Sequence, residues 1–155
     1  LLERIDPDEV GGRPTIYRTT GRMNGDHPWT GIGPGMFEWR FPSYRPPDLV
    51  QKRFVHVHND YLEIAVEWGV PLAVLFWLFV AWRCFAAGRV YLRTRSPWCG
   101  TVALASATGI FSILVHSLVD FNLHIPSNLM VFALLLALAG WVTAADDRSR
   151  LEEGG

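Results

Sequence analysis

Residues 98–119 read WCGTVALASATGIFSILVHSLV, and residues 125–145 read IPSNLMVFALLLALAGWVTAA. Neither run contains Asp, Glu, Lys or Arg. Each exceeds the ~18 apolar residues that a helix needs to cross a hydrocarbon core of ~30 Å. Two charge-free runs of this length argue against a buried hairpin in a soluble domain. Upstream, residues 70–92, VPLAVLFWLFVAWRCFAAGRVYL, are similarly apolar except for Arg83 and Arg89. Both arginines lie in the second half of that run, where a long side chain can reach the headgroups, so a third span is predicted. The pattern is that of an all-α integral membrane protein, a polytopic helical bundle.

The remainder is different in kind. Residues 1–69 carry ten acids and eight of the fourteen Lys/Arg, interleaved with Gly and Pro. With 50% hydrophobic and 13% aromatic residues in a chain of 155, one soluble core would not hide the apolar content. Arg83, Arg89, Arg93 and Arg95 crowd the link between the first two runs, and Arg148 and Arg150 follow the third. The positive-inside bias therefore predicts residues 93–97 and the tail 146–155 in the cytoplasm. Spans at 70–92, 98–119 and 125–145 then leave residues 1–69 as an extracytoplasmic, periplasmic loop segment and 120–124 as a turn on that same face. Leu1-Leu2-Glu3-Arg4 has neither the apolar core nor the small-residue cleavage site of a signal peptide. The chain is expected to be the C-terminal part of a longer multi-span protein. The net charge of −1 adds nothing about partners, and no nucleic-acid partner is expected. Cys84 and Cys99 both fall near the arginine-rich face and belong to no metal-binding spacing, so neither a disulfide nor a thiolate site is expected.

Within the polar segment, Gly12 to Asn24 reads as a short helix, with Ile16, Tyr17 and Thr20 on one side and Arg18 and Arg22 on another. Gly31, Gly33 and Gly35 then recur at alternate positions, which prevents regular structure and allows close backbone approach to another group. Phe41 to Pro47 reads as a loop. A second short helix starts near Asp60, where Asp60 and Glu63 approximate a capping box, and Gly69 with Pro71 gives a stop and restart. His58 thus precedes a helix N-terminus, where a titratable ring meets exposed N–H groups and the positive end of a dipole. That setting suits phosphate binding or proton transfer. His56 and His58 alternate as strand ligands of a metal would, but a helix starting at Asp60 breaks that geometry, so no metal site is expected.

His58-Asn59, nine residues, then Gly69-Val70-Pro71-Leu72 resembles the histidine motif of the bacterial O-antigen ligase and polymerase superfamily, H-[NSQ]-x9-G-x-x-G, with Leu72 in place of the final glycine. Gly12-Arg13, Ile16-Tyr17-Arg18, His27-Pro28 and the Gly31 to Phe37 stretch resemble the family region that opens with Gly-Arg and ends in G-x-G-x-G-x-F. His116 to Phe121 and Pro126 to Leu129 resemble its following turn between spans. The resemblance runs over residues 12–140. It implies a GT-C-like glycosyltransferase that moves a glycan from undecaprenyl diphosphate to an acceptor hydroxyl, on lipid A core or a similar glycan, at the periplasmic face of the inner membrane. No cofactor is implied.

That reaction needs a cation for the departing diphosphate and a group to take the acceptor's proton. The resemblance places Arg13 first and Arg18 second for the former, because a guanidinium stays charged and grips phosphate oxygens in pairs. His58 is the candidate for the latter, or for holding the diphosphate itself. Asn59 either caps the helix or orients the imidazole. Gly31, Gly33, Gly35 and Asp120 complete the expected substrate-binding set, with His116 beside Asp120 at the outer end of the second span. Arg22, Arg40, Arg45, Lys52 and Arg53 would add positive charge for an anionic carrier. Three alternatives stay open: a polymerase joining repeat units, a protein O-oligosaccharyltransferase, and a non-catalytic scaffold or transporter subunit in which Arg13 and His58 matter no more than Arg40 or Arg45. The fragment alone is expected to be inactive.

Overall fold

Ile16, Thr19, Thr20 and Met23 are all buried, which is one face of a helix at spacings of three and four. In the computed structural model, which describes residues 7–44 and 54–153, that helix is α1, Pro7–Asp26. It is longer at both ends than the expected 12–24. Arg18 and Arg22 stand exposed on its other side. Arg45, Lys52 and Arg53, with the end of the 41–47 loop, lie outside the described residues.

Two units divide the chain, one made of residues 1–74 with 117–121, the other of residues 75–116 with 122–155. In the first, α1 is followed by the glycine loop, the single turn α2 (Phe37–Arg40), a 3-10 turn (Phe41–Ser43) and α3 (Asp60–Trp68). Ile16, Met23, Phe37, Phe41, Val57 and Val66 form its core, with the Phe37 and Phe41 rings 5.1 Å apart. A hydrogen bond to the Asp26 carboxylate, then burial, push the Tyr44 phenol above its ordinary pKa.

The second unit holds α4 (Val70–Arg93) from Leu75 onward, α5 (Pro97–His116), a 3-10 turn (Asn122–His124) and α6 (Pro126–Glu153). By length and composition all three long helices can cross a membrane. Leu78, Trp82, Phe85, Phe111 and Leu134 face outward from them, the apolar surface that a lipid solvent requires. Gly100, Ala103 and Ser106 give α5 a buried face of small residues, and Ala103 meets Val142 of α6. Ser106 returns its hydroxyl to the Val102 carbonyl at 2.7 Å, so that hydroxyl is paired within its own helix. All regular structure among the described residues is helical, and the chain is an all-α polytopic membrane protein.

Two helix ends lie more than one residue from the expected span limits. Helix α5 ends at His116 rather than at residue 119, because Ser117 and Leu118 turn their polar groups to the first unit's α3 N-terminus. Helix α6 runs through Asp146 and Asp147 instead of stopping at 145, supported by an Arg150–Asp146 pair at 2.9 Å.

Candidate functional site

Helix α3 is only nine residues long and would not persist alone in water. Polar contacts at its N-terminus hold it. Asn59, in extended backbone, accepts from Leu62 N at 3.0 Å through Oδ1, and its Nδ2 donates to the Leu118 carbonyl at 2.9 Å. The cap is thus Asn59, as one of its two expected roles had it. Asp60 and Glu63 do not form the capping box that their spacing suggested. Asp60 is fully buried, its N–H donates to the Ser117 carbonyl, and its Oδ2 accepts the Ser117 hydroxyl at 2.8 Å. Glu63, with 1% of its surface exposed, turns back to accept Val57 N at 2.8 Å and faces His56 Nδ1 at 2.7 Å. Burial, then the Asp60 charge, push the Tyr61 phenol above its ordinary value.

These contacts fix the short segment in front of α3, and His58 ends it in a left-handed backbone with φ +58°. A non-glycine residue there is disfavoured by about 1–2 kcal/mol and persists only where the surroundings over-determine it. Tyr17 of α1 supplies part of that constraint, its hydroxyl donating to the His58 carbonyl at 3.2 Å. The His58 ring is 40% exposed, lies edge-on to Phe121 at 4.9 Å and presents Nδ1 to Asp120 Oδ1 at 3.7 Å. Its Nε2 has no partner among the described residues. His56 stacks flat on the same Phe121 ring at 4.4 Å. The two histidines therefore have different tasks: His56 is engaged by a buried carboxylate, and His58 is open.

Arg13 and Arg18 are both exposed, and neither has a carboxylate partner among the described residues. Arg13 stands one turn before Tyr17, on the side of α1 that reaches His58. Arg18 belongs with Arg22 on the other side. Contacts bring Tyr17 and Asp120 to His58, and helical register puts Arg13 on the Tyr17 face of α1 and Arg18 off it.

The glycine loop lies at the opposite end of α3. Ile32 N and Gly33 N donate to the Val66 and Glu67 carbonyls at 2.9 and 3.0 Å, and Val70 N donates to the Pro28 carbonyl at 2.8 Å. Gly31 (φ +65°) and Gly69 (φ +84°) touch there: a Cβ on Gly31 would lie 2.2 Å from the Glu67 oxygen, and one on Gly69 2.4 Å from the Trp29 oxygen. The expected close approach is thus to the backbone of α3. The Glu67 side chain closes the loop by accepting Phe37 N at 3.2 Å. Eight residues separate Asn59 from Glu67, about 12 Å along a helix axis, so Gly31 and Gly33 are not grouped with His58. Gly35 (φ +71°) has open space around it.

Sequence reading passed over Glu67 and Tyr17 as functional supports, and gave Asp60 and Glu63 only a capping role. The spacing 60, 63, 67 on one helix face was the available signal.

A family model described as O-antigen ligase matches residues 3–77, which hold α1, the glycine loop, His58, α3 and the start of α4. Over that stretch, just under half of its length, the chain is similar to the O-antigen ligase family. Among curated proteins and among solved structures, none matches it. Within the ligase motif, Gly69 has the positive φ and the close contact that exclude a side chain, whereas Leu72, at the second glycine's place, is half exposed on the first turn of α4.

Proposed function

We propose that this protein transfers a glycan from undecaprenyl diphosphate to an acceptor hydroxyl, on lipid A core or a similar glycan, at the periplasmic face of the bacterial inner membrane. The observation that carries the reading is His58: a half-exposed imidazole in a strained backbone, with Asp120 on Nδ1 and an open Nε2, in the segment that the ligase family shares. Supporting it is Arg13, a cation with no carboxylate partner among the described residues, one turn from the tyrosine that touches His58.

In the proposed step the acceptor oxygen attacks the anomeric carbon while His58 Nε2 takes its proton. The bond from that carbon to the diphosphate breaks, and the electron pair leaves with undecaprenyl diphosphate. Arg13 receives the growing negative charge through paired N–H donors. Asp120 faces Nδ1 at 3.7 Å and orients the ring. Asn59 holds the helix end, Arg18 offers a second cation to the carrier, and Gly31 and Gly33 shape the loop from which Gly35 can approach the glycan. The arginine bias at the other ends of the spans supports a periplasmic location.

The test uses the full-length protein in cells that make the lipid-linked glycan. His58→Ala and Arg13→Ala should each lower transfer by about 10²-fold or more and leave glycan on the carrier. Wild-type transfer in both, at equal membrane abundance, refutes the site. Product length separates the two transfer chemistries: loss of a polymerase yields single capped repeats, and loss of a ligase strands whole chains on the carrier.

A further inference from the structure

Arg83 lies in the second half of α4, yet it retains only 9% of its surface exposure. Its Nη2 donates to Thr143 Oγ1 at 3.3 Å, and Gly140 makes room for it, since a Cβ there would lie 2.8 Å from that nitrogen. A hydroxyl is neutral, and no carboxylate pairs with Arg83 among the described residues. A guanidinium buried within a span without an anion is expensive, which makes an intramembrane arginine of this kind a functional-site candidate.

The arginine opens onto a cavity of about 670 Å³ between α4 and α6. Arg89, Arg93 and Arg150 also line it, against Asp146 and Asp147. Four arginines against two aspartates leave two positive charges in excess. Asp146 is engaged by Arg150 at 2.9 Å, so Arg83, Arg89 and Arg93 face the cavity with Asp147 as the sole remaining carboxylate in its lining. The same wall is apolar on its outer side. Trp82 and Phe85 are 58% and 64% exposed, and each carries an arginine against its ring, Arg83 at 5.1 Å and Arg89 at 5.6 Å. An occupant must therefore combine an anionic head with an apolar body.

We infer that this cavity binds the phosphate of an anionic phospholipid at the arginine-rich end of the spans. Basic pockets between spans suit such headgroups, and the positive-inside bias puts this one at the cytoplasmic leaflet. The inference rests on the membrane helices and is independent of the transfer reaction proposed above. A lipid phosphate supplies the anion that Arg83 lacks, while its acyl chains cover Trp82 and Phe85.

The test is native mass spectrometry of the delipidated full-length protein in mild detergent, titrated with phosphatidylglycerol, with phosphatidylcholine, or with inorganic phosphate. Phosphatidylglycerol adducts should survive at activation that strips phosphatidylcholine, and inorganic phosphate should not displace them. Because Arg83→Gln removes a buried group, the exposed pair Arg89→Gln/Arg93→Gln carries the decision. Each arginine near an anionic surface is worth roughly fivefold, so the pair should lower the phosphatidylglycerol preference on the order of twentyfold. Asp147→Asn should raise it. Equal retention of the two lipids, an unchanged preference in the double variant, displacement by inorganic phosphate, or a fall in Asp147→Asn would each overturn the assignment.

Discussion

Replacing Gly31 by alanine should damage this protein far more than replacing Gly35, although both glycines have positive φ in one loop. At Gly31 the added Cβ would lie 2.2 Å from the Glu67 carbonyl oxygen and 2.6 Å from Gly69 N, both backbone atoms that no rotamer can move. Relief requires the loop and the α3 terminus to part by about 1 Å, which stretches the Ile32, Gly33 and Val70 hydrogen bonds beyond useful length. Those bonds contribute about 0.5–1.5 kcal/mol each. Left-handed alanine adds about 1–2 kcal/mol. The total for Gly31→Ala is roughly 3–6 kcal/mol, a large share of an ordinary stability of about 5–15 kcal/mol. Gly35 has φ +71° and nothing within 4 Å of the added atom, so only the backbone term, about 1–2 kcal/mol, applies there. The assay is the thermal unfolding midpoint of full-length protein in detergent, followed by tryptophan fluorescence, with monodispersity on size exclusion as a control. Gly69→Ala attacks the same contact from the other side, at 2.4 Å from the Trp29 oxygen, and should match Gly31→Ala. The double variant should then fall little below either single one, because one contact cannot be broken twice. Equal midpoints for Gly31→Ala and Gly35→Ala, or full additivity of Gly31→Ala with Gly69→Ala, would refute the lock between loop and helix.

Three further outcomes follow from the site. His58→Gly relieves a left-handed backbone and should unfold no earlier than wild type while transfer falls by about 10²-fold or more; a midpoint several degrees lower would mean that the ring supports the fold. Asn59→Asp keeps the Oδ1 acceptor for Leu62 N and loses only the donor to Leu118, whereas Asn59→Ala also loses a cap worth about 1 kcal/mol, so calorimetry should rank alanine below aspartate. Glu63→Ala orphans the buried Val57 N–H and removes a charged acceptor, a loss of about 2–4 kcal/mol, while Glu63→Gln retains an acceptor oxygen and should lose about half as much; equal losses measured by urea titration would contradict the assigned contacts.

The spans were legible because lipid is a strict solvent: the faces turned to it must be apolar, and residues 98–119 and 125–145 announce long apolar runs by composition. Where α5 stops was not legible. Leu118 and Val119 are as apolar as the span, and what ends the helix is the capture of Ser117 by Asp60, a contact across 57 residues that hydropathy does not see. The two faces of α1 could be read because burial of Ile16 and Thr20 obeys helical period, and the exposed side carries Arg18 and Arg22. His58 was found through motif spacing. Its left-handed backbone was not, since histidine tolerates that region no more distinctively than asparagine or aspartate. The alternate glycines invited a ligand-binding reading, yet for Gly31 the crowding neighbour is α3. A sequence states that a side chain is unwelcome, and only the fold states what excludes it.

The fixed interval between His58 and Gly69 has a physical cause in the acids of α3. Asp60, Glu63 and Glu67 share one face, and each holds a different segment: the turn at Ser117, the residues before α3 at Val57, and the start of α2 at Phe37. Core burial of Val66 does the rest. Adding or deleting a residue inside α3 would rotate Glu67 by about 100° relative to Asp60 and move Gly69 about 1.5 Å along the axis, away from Gly31. The three anchors and the glycine contact could not then be satisfied together. Nine residues between Asn59 and Gly69 is therefore the length at which the histidine end and the glycine end of one short helix are locked at the same time, with the His58 backbone held by Tyr17 and the Asn59 cap while Nε2 stays open.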